Sequence, residues 1–303
     1  MSIIGHRGIQ VLSDINSVDD LPEIADVESE AVWYIESGDF APDYIAPSFW
    51  DGEQFNEWIS LFDGDVLDGI PDTAIARYLL AEEDNSNVTI VDELDNHNGT
   101  NQGTTSVEDN DYVEGRARQA DGTDQYIELT TWGDFGSTLG SGFCLPLTLE
   151  TTDTGYICRI DNSGSDQRGG WWTNEAFGST SGHFTFGFAD IDDNRAIVEL
   201  DEDVTDGTRR RIYPNAVGND PNNWEIWVAT ESNPDPTKQD VTVVENDTLQ
   251  NVENFDEFAP LFARNNEGSI SDYIAATLDD VIPCVDSLDE SEIEADASRQ
   301  PWL

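Results

Sequence analysis

Apolar residues in this chain recur at every second position, in short runs broken by Asp, Gly, Asn and Pro. Trp224, Ile226 and Val228 alternate with Glu225, Trp227 and Ala229, and Phe184, Phe186 and Phe188 alternate with Thr185, Gly187 and Ala189. A period of two sends successive side chains to opposite faces of an extended strand, whereas a helix face repeats about every 3.6 residues. Helical signals are confined to single turns near 255–260 and 288–297. Many short strands between turn residues predict an all-β fold, an antiparallel jelly-roll β-sandwich. No internal repeat is present.

Charge narrows the setting. The formal net charge is −51, from 64 acidic and 13 basic residues, and Lys238 is the single lysine. Such a surface repels itself at ordinary ionic strength and becomes tolerable when salt shortens the Debye length to about 3 Å near 1 M. The acids are spread along the whole chain, which favours general salt adaptation over a dedicated acidic interaction surface. In this respect the chain resembles proteins of salt-in halophiles, haloarchaea and their viruses. Nucleic acid is disfavoured as a partner, because the one basic run, Arg209-Arg210-Arg211, sits among acids. Residues 1–10 hold no apolar run or cleavage site, and no segment approaches about 20 apolar residues, so neither a secretory signal nor membrane insertion is expected. Cys144, Cys158 and Cys284 have no metal-ligand spacing and read as buried small hydrophobes.

Residues 1–72 read as a small N-terminal β module. Val32, Tyr34 and Phe49 lie in short strand-like runs, and Asp51-Gly52 is a hairpin-turn signal. The order of these motifs resembles a β module of tailed-virus structural proteins, which implies attachment to a virion. Residues 62–71, with two Asp-Gly steps and Pro71, read as a linker. From Ile75 a series of motifs follows: Ala76 to Leu80 as a first strand, then Tyr126, Ile127 and Leu129, then 143–152, 223–230, 240–244 and 260–264. The series closes on Leu278-Asp279-Asp280-Val281 and the turn Leu288-Asp289-Glu290-Ser291-Glu292-Ile293. In that order the motifs resemble a laminin-G/concanavalin A-like sandwich, spanning 73–297, with 298–303 as a C-terminal tail. Residues 161–222 align poorly with this family and are expected to carry long loops.

Three constellations are candidates for chemistry. Trp171 and Trp172 are adjacent, so one is expected in the core and the other outside, free to stack on a sugar ring or a protein partner. Asp190, Asp192 and Asn194 alternate oxygen ligands in a way that suits calcium, which the resemblance places at loop edges, although Arg195 stands where a calcium-loop glycine belongs. Glu199, Asp201 and Asp203 resemble the acidic strand of laminarinase-type glycoside hydrolases, with Asp in the last place instead of Glu. With only His6, His97 and His183, no nucleophile elbow and no phosphate loop, no catalytic residue is assigned.

The resemblance implies a non-catalytic structural protein displayed on the virion of a haloarchaeal tailed virus, as a tail fibre, baseplate or turret component. Its expected partners are other virion proteins, further copies of itself in a homo-oligomer, and a host-surface glycan or glycoprotein. No cofactor is expected apart from calcium. The alternatives are a cell-surface carbohydrate-binding protein and a laminarinase-like hydrolase of a halophilic archaeon.

Overall fold

The computed structural model describes residues 70–301 except 72, 83–87, 95–96, 110–111, 130–141, 163–165 and 256, together with the backbone of four short strands before residue 50. Two compact units part between Asp68 and Gly69, a few residues before the expected 72/73 boundary. In the first, Ile4–His6, Ile9–Leu12, Val32–Ile35 and Ser48–Phe49 form a sheet in that order. Ile9–Leu12 and Val32–Ile35 run parallel and the other pairs antiparallel. Asp51-Gly52 and most of the 62–71 linker lie outside the described residues.

The second unit is a sandwich of two large sheets. The eight-stranded sheet runs Asn233–Lys238, Glu225–Thr230, Arg210–Ala216, Leu147–Thr151, Ala275–Asp279, Arg116–Asp121, Thr105–Glu108, with Phe143–Cys144 also pairing with Arg210–Ala216. The seven-stranded sheet runs Val241–Asn246, Arg195–Asp203, His183–Ala189, Arg168–Trp172, Tyr156–Asp161, Ala263–Asn266, Ser269–Ser271. A single parallel pair, Tyr156–Asp161 with Ala263–Asn266, interrupts this antiparallel order. A third ladder joins Ala259–Leu261, Tyr126–Leu129, Gly99–Gln102 and Thr89–Ile90.

Period-two patterning explains which face each strand buries. Phe184, Phe186 and Phe188 point inward and meet Leu147, Leu149, Ile212, Ile226 and Leu278 from the opposite sheet in one core. Phe143 sits at its centre, edge-on to Trp171, Phe186, Phe188 and Trp224, with ring centroids 4.6–6.2 Å away. Full burial of each such side chain stabilises the fold by about 1.5–3 kcal/mol. Gly169 permits this packing, because a Cβ there would lie 2.2 Å from the Phe188 ring.

The closing signature is a helix, Glu290–Ala297. Asp289 accepts from the Glu292 amide at 3.0 Å and Glu292 accepts from the Asp289 amide at 2.8 Å, a reciprocal capping box that satisfies two end donors. The helix lays Ile293 and Ala297 against Tyr213, Cys144 and Cys284 on the outer face of the eight-stranded sheet. All three cysteines are buried free thiols. Among the described residues no helix is long and apolar enough to cross a membrane.

Several local expectations need correction. Residues 161–222 hold four of the most regular strands, not long loops; the family motifs are simply absent from them. Ala76 to Leu80 form no strand: Tyr78 makes one isolated bridge to Val281, and Leu80 turns to a φ of 58°. Within the supposed 298–303 tail, Gln300 is buried and donates to Asp280 at 2.9 Å, so this part packs on the sandwich.

Candidate functional site

The outer face of the seven-stranded sheet gathers four of the chain's twelve arginines. Strand register places them. Arg264, Arg159, Gly170, Gly187 and Ile197 form one row across the sheet, and Asn266, Asp161, Arg168, Ala189 and Arg195 form the next. Two glycines and an alanine therefore leave a shallow floor with guanidiniums around it. Side chains are excluded from that floor: a Cβ on Gly187 would lie 2.7 Å from the Ala196 carbonyl oxygen.

One aromatic ring from a turn overhangs this floor. The 3-10 turn Ala176–Gly178 carries Phe177 at φ 56°, a left-handed conformation that costs a non-glycine residue roughly 1–2 kcal/mol. The turn is fixed from both ends. Trp172 Nε1 donates to Ser179 Oγ at 3.0 Å, and the Thr180 amide and hydroxyl donate to Glu199 at 2.6 and 3.0 Å. The Phe177 ring packs 5.6 Å from Trp172, and the guanidiniums of Arg159, Arg195 and Arg168 lie 4.8, 5.5 and 5.6 Å from its centroid. Cation–π attraction to one ring gathers three like charges that would otherwise separate.

Two carboxylates complete the cluster. Asp161 takes a fork from Arg159 at 2.7 and 3.2 Å and a further bond from Arg264 at 2.6 Å. Asp193 takes a fork from Arg195 at 3.0 and 2.8 Å and also pairs with Arg168. The Arg195 bond, with the Arg168 charge, holds the Asp193 carboxyl below the usual range. Asp272 stands 3.7 Å from Arg264 at the rim. Arg168 Nε is buried with no hydrogen-bond partner among the described residues. Beside it, Arg159, Arg168, Arg195, Trp172, Phe177 and Gly187 line a crevice of ≈ 10 Å³, room for about one water-sized group. A guanidinium keeps its charge across the ordinary pH range and donates in a fixed fork, a chemistry suited to holding an oxyanion.

The candidates from sequence fall elsewhere or into supporting roles. Trp171 and Trp172 do face opposite sides, but both are buried, at 1% and 2% exposure. The expectation that one stands free is corrected: the Phe177 turn covers the outer one, and Trp172 packs with Tyr156 and Ile197 beneath it.

The calcium reading is corrected too. Asp190 is buried and accepts five N–H groups, from Asp192, Asn194 (main and side chain), Gln250 and Asn251, at 2.8–3.2 Å. Burial opposes its ionisation, yet these bonds together bring its carboxyl below the usual value. The donors occupy the lone pairs that a cation needs, so Asp190, Asp192 and Asn194 form a loop clamp. Among the described residues no cluster of three or more His, Cys, Asp or Glu is placed to hold a metal.

The acidic strand also departs from its expected geometry. A register shift between His183 and Thr185 inserts two extra residues after Glu199, a bulge that interrupts the ladder around Asp201. Glu199 is buried on Thr180, Asp201 accepts from Thr242 Oγ1 at 2.7 Å, and Asp203 accepts from the Thr205 amide and hydroxyl. The arginine face itself was missed. Its signal was present in the outward parity of Arg159, Arg168, Arg195 and Arg264 around outward glycines.

No protein-family model and no curated protein matches the chain. Solved structures do. The receptor-binding domain of botulinum neurotoxin C/D mosaic serotype superposes with a TM-score of 0.51 at 10% identity, over 76% of this chain and 52% of that one. The chain thus spans about half the length of that structure. A second structure of that receptor-binding domain, with tetraethylene glycol and sulfate bound, gives 0.50 at 9% identity, over 76% of this chain and 51% of that one. Domain 4 of a Geobacillus stearothermophilus arabinanase, in complex with arabinotriose, gives 0.48 at 11% identity, over 74% of this chain and 98% of that one. At such identities the likeness to the toxin domain establishes the fold alone, a β-sandwich.

Proposed function

We propose that the chain is a non-catalytic recognition protein whose sandwich binds a host-surface glycan or glycoprotein. The observation that carries this reading is the guanidinium-rimmed outer face of the seven-stranded sheet. In a chain where acids outnumber bases 64 to 13, three arginines converge there on one aromatic ring and a fourth, Arg264, joins them on the neighbouring carboxylates. Receptor binding by the toxin domain of the same fold supports it by analogy. The acidic strand lends a hydrolase reading no support, because Glu199, Asp201 and Asp203 each hold a threonine.

The extreme acidity and the motif order of the N-terminal unit favour display on the virion of a haloarchaeal tailed virus. There the N-terminal unit would join other virion proteins and the chain would assemble as a homo-oligomer. The test is capture of the fluorescently labelled full chain by haloarchaeal cells, with peptide mass spectrometry of purified particles. Capture by cells and presence in particles are expected. Failure to bind any cell surface sinks the recognition reading. Recovery in the cell envelope and not in particles makes the chain a cell-surface carbohydrate-binding protein instead.

A further inference from the structure

We infer that the floor over Gly170, Gly187 and Ala189 takes a negatively charged substituent of a surface saccharide, a carboxylate or sulfate ester, gripped by Arg168 and Arg195 beside the Phe177 ring. This rests on the recognition reading and specifies its ligand. Three features of the face point to an anion. Asp193 bridges Arg168 and Arg195 and so holds both guanidiniums in place before any ligand arrives. Arg168 Nε keeps a buried donor without a partner at the crevice wall, and such a donor costs the fold free energy until something accepts from it. Arg159, Arg168 and Arg195 stand together within 5.6 Å of the Phe177 centroid, although Glu245 and Asp247 beside Arg195 offset part of that charge.

Size and surroundings favour a substituent on a sugar over a free-standing anion. The crevice has room for about one water-sized group, enough for one oxygen of a substituent but not for a ring. The ring would lie outside, against the half-buried Phe177, matching the usual mix of an apolar platform with a few fixed polar groups. A planar oxyanion meets the guanidinium fork through two parallel bonds, which a neutral hydroxyl cannot do. Long nucleic acid is excluded by the overall charge of −51.

The experiment is retention of the full chain on an array of uronate-bearing, sulfated and neutral oligosaccharides, with polyglutamate as a further arm. At about 1 M KCl long-range attraction is screened to about 3 Å, so contact chemistry alone is read. Acidic oligosaccharides are expected to be retained over neutral ones. The double variant Arg168→Gln/Arg195→Gln is expected to weaken that retention about tenfold or more. Arg116→Gln, on the other sheet, is expected to leave it unchanged. Arg195→Lys keeps the charge without the fork; it is expected to bind several-fold more weakly, and it carries the test if the double variant does not fold. Equal retention of acidic and neutral members overturns the inference, as do retention unaltered in both arginine variants, preference for polyglutamate, and no retention of any acidic member. If cells still capture the chain in any of those cases, the recognition reading stands and only the ligand class falls.

Discussion

On the outer face of the eight-stranded sheet, Arg211 meets Asp280 at 3.2 Å and Asp296 at 2.8 Å, all three fully buried. Arg77, Arg299, Gln300 and Tyr213 add bonds to the same two carboxylates. On the outer face of the seven-stranded sheet, Arg159, Arg168, Arg195 and Arg264 meet Asp161 and Asp193 with part of each of the last three arginines still open to solvent. The residue types are the same, but the cover differs. The capped helix Glu290–Ala297 and the segment after it close the first cluster. A single three-residue turn overhangs the second. Burial opposes the charge on Arg211, yet Asp296 and Asp280 raise its pKa above the usual value, so Arg211 keeps its charge and ties the helix to the sheet. The open cluster keeps one buried donor, Arg168 Nε, without a hydrogen-bond partner among the described residues.

That contrast sets the sizes of the expected effects. Asp280→Ala leaves Arg211 buried without one of its two carboxylates and is expected to cost about 3–5 kcal/mol, read by denaturant unfolding in high salt. A loss below about 1 kcal/mol would mean that the closed cluster does not lock the fold.

Asp279, next to it, supplies a pH test. Burial, then the neighbouring Asp280 charge, pushes its carboxyl up to about 7, although the Val113 amide donates to it at 2.9 Å. The folded state thus keeps a proton that the unfolded chain gives up near pH 4, so stability falls as pH rises from about 4 to about 7. Asp279→Asn removes that slope. Its advantage over the parent is expected to grow from near zero at about pH 4 to between about 1 and 4 kcal/mol at about pH 8, checked by unfolding at both values.

Smaller effects belong to the open face. Thr180→Val removes the hydroxyl bond to Glu199 that helps fix the Phe177 turn, and about 1 kcal/mol is expected to be lost in thermal unfolding. Asp193→Asn, on a partly exposed carboxylate, is expected to change stability by less than about 1 kcal/mol. It loosens the hold on Arg168 and Arg195, so retention of acidic oligosaccharides is expected to fall. A large stability loss in that variant would make the open cluster a second lock and erase the contrast.

The legible part of this molecule was its periodicity. Alternation at 184–189 and 224–229 identified core strands, and Leu288 to Ile293 announced the closing turn, because local pattern and capping chemistry are written in adjacent residues. The site was not legible in the same way. Arg159 and Arg195 lie on strands separated by two others, and only the register Arg159–Gly170–Gly187–Ile197 brings their rows together. Trp172 follows the expected parity, yet its burial depends on a turn several residues away that no period reports. Asp190 carries the composition of a cation ligand, but amides from 250 and 251 claim its oxygens.

The most direct measurement is capture of the full chain by haloarchaeal cells, parent against Arg168→Gln/Arg195→Gln, with thermal unfolding of both in the same buffer. If the arginine face is the recognition surface, the variant unfolds within a few degrees of the parent and is captured at least about tenfold less well. Equal capture of two equally stable proteins would contradict it.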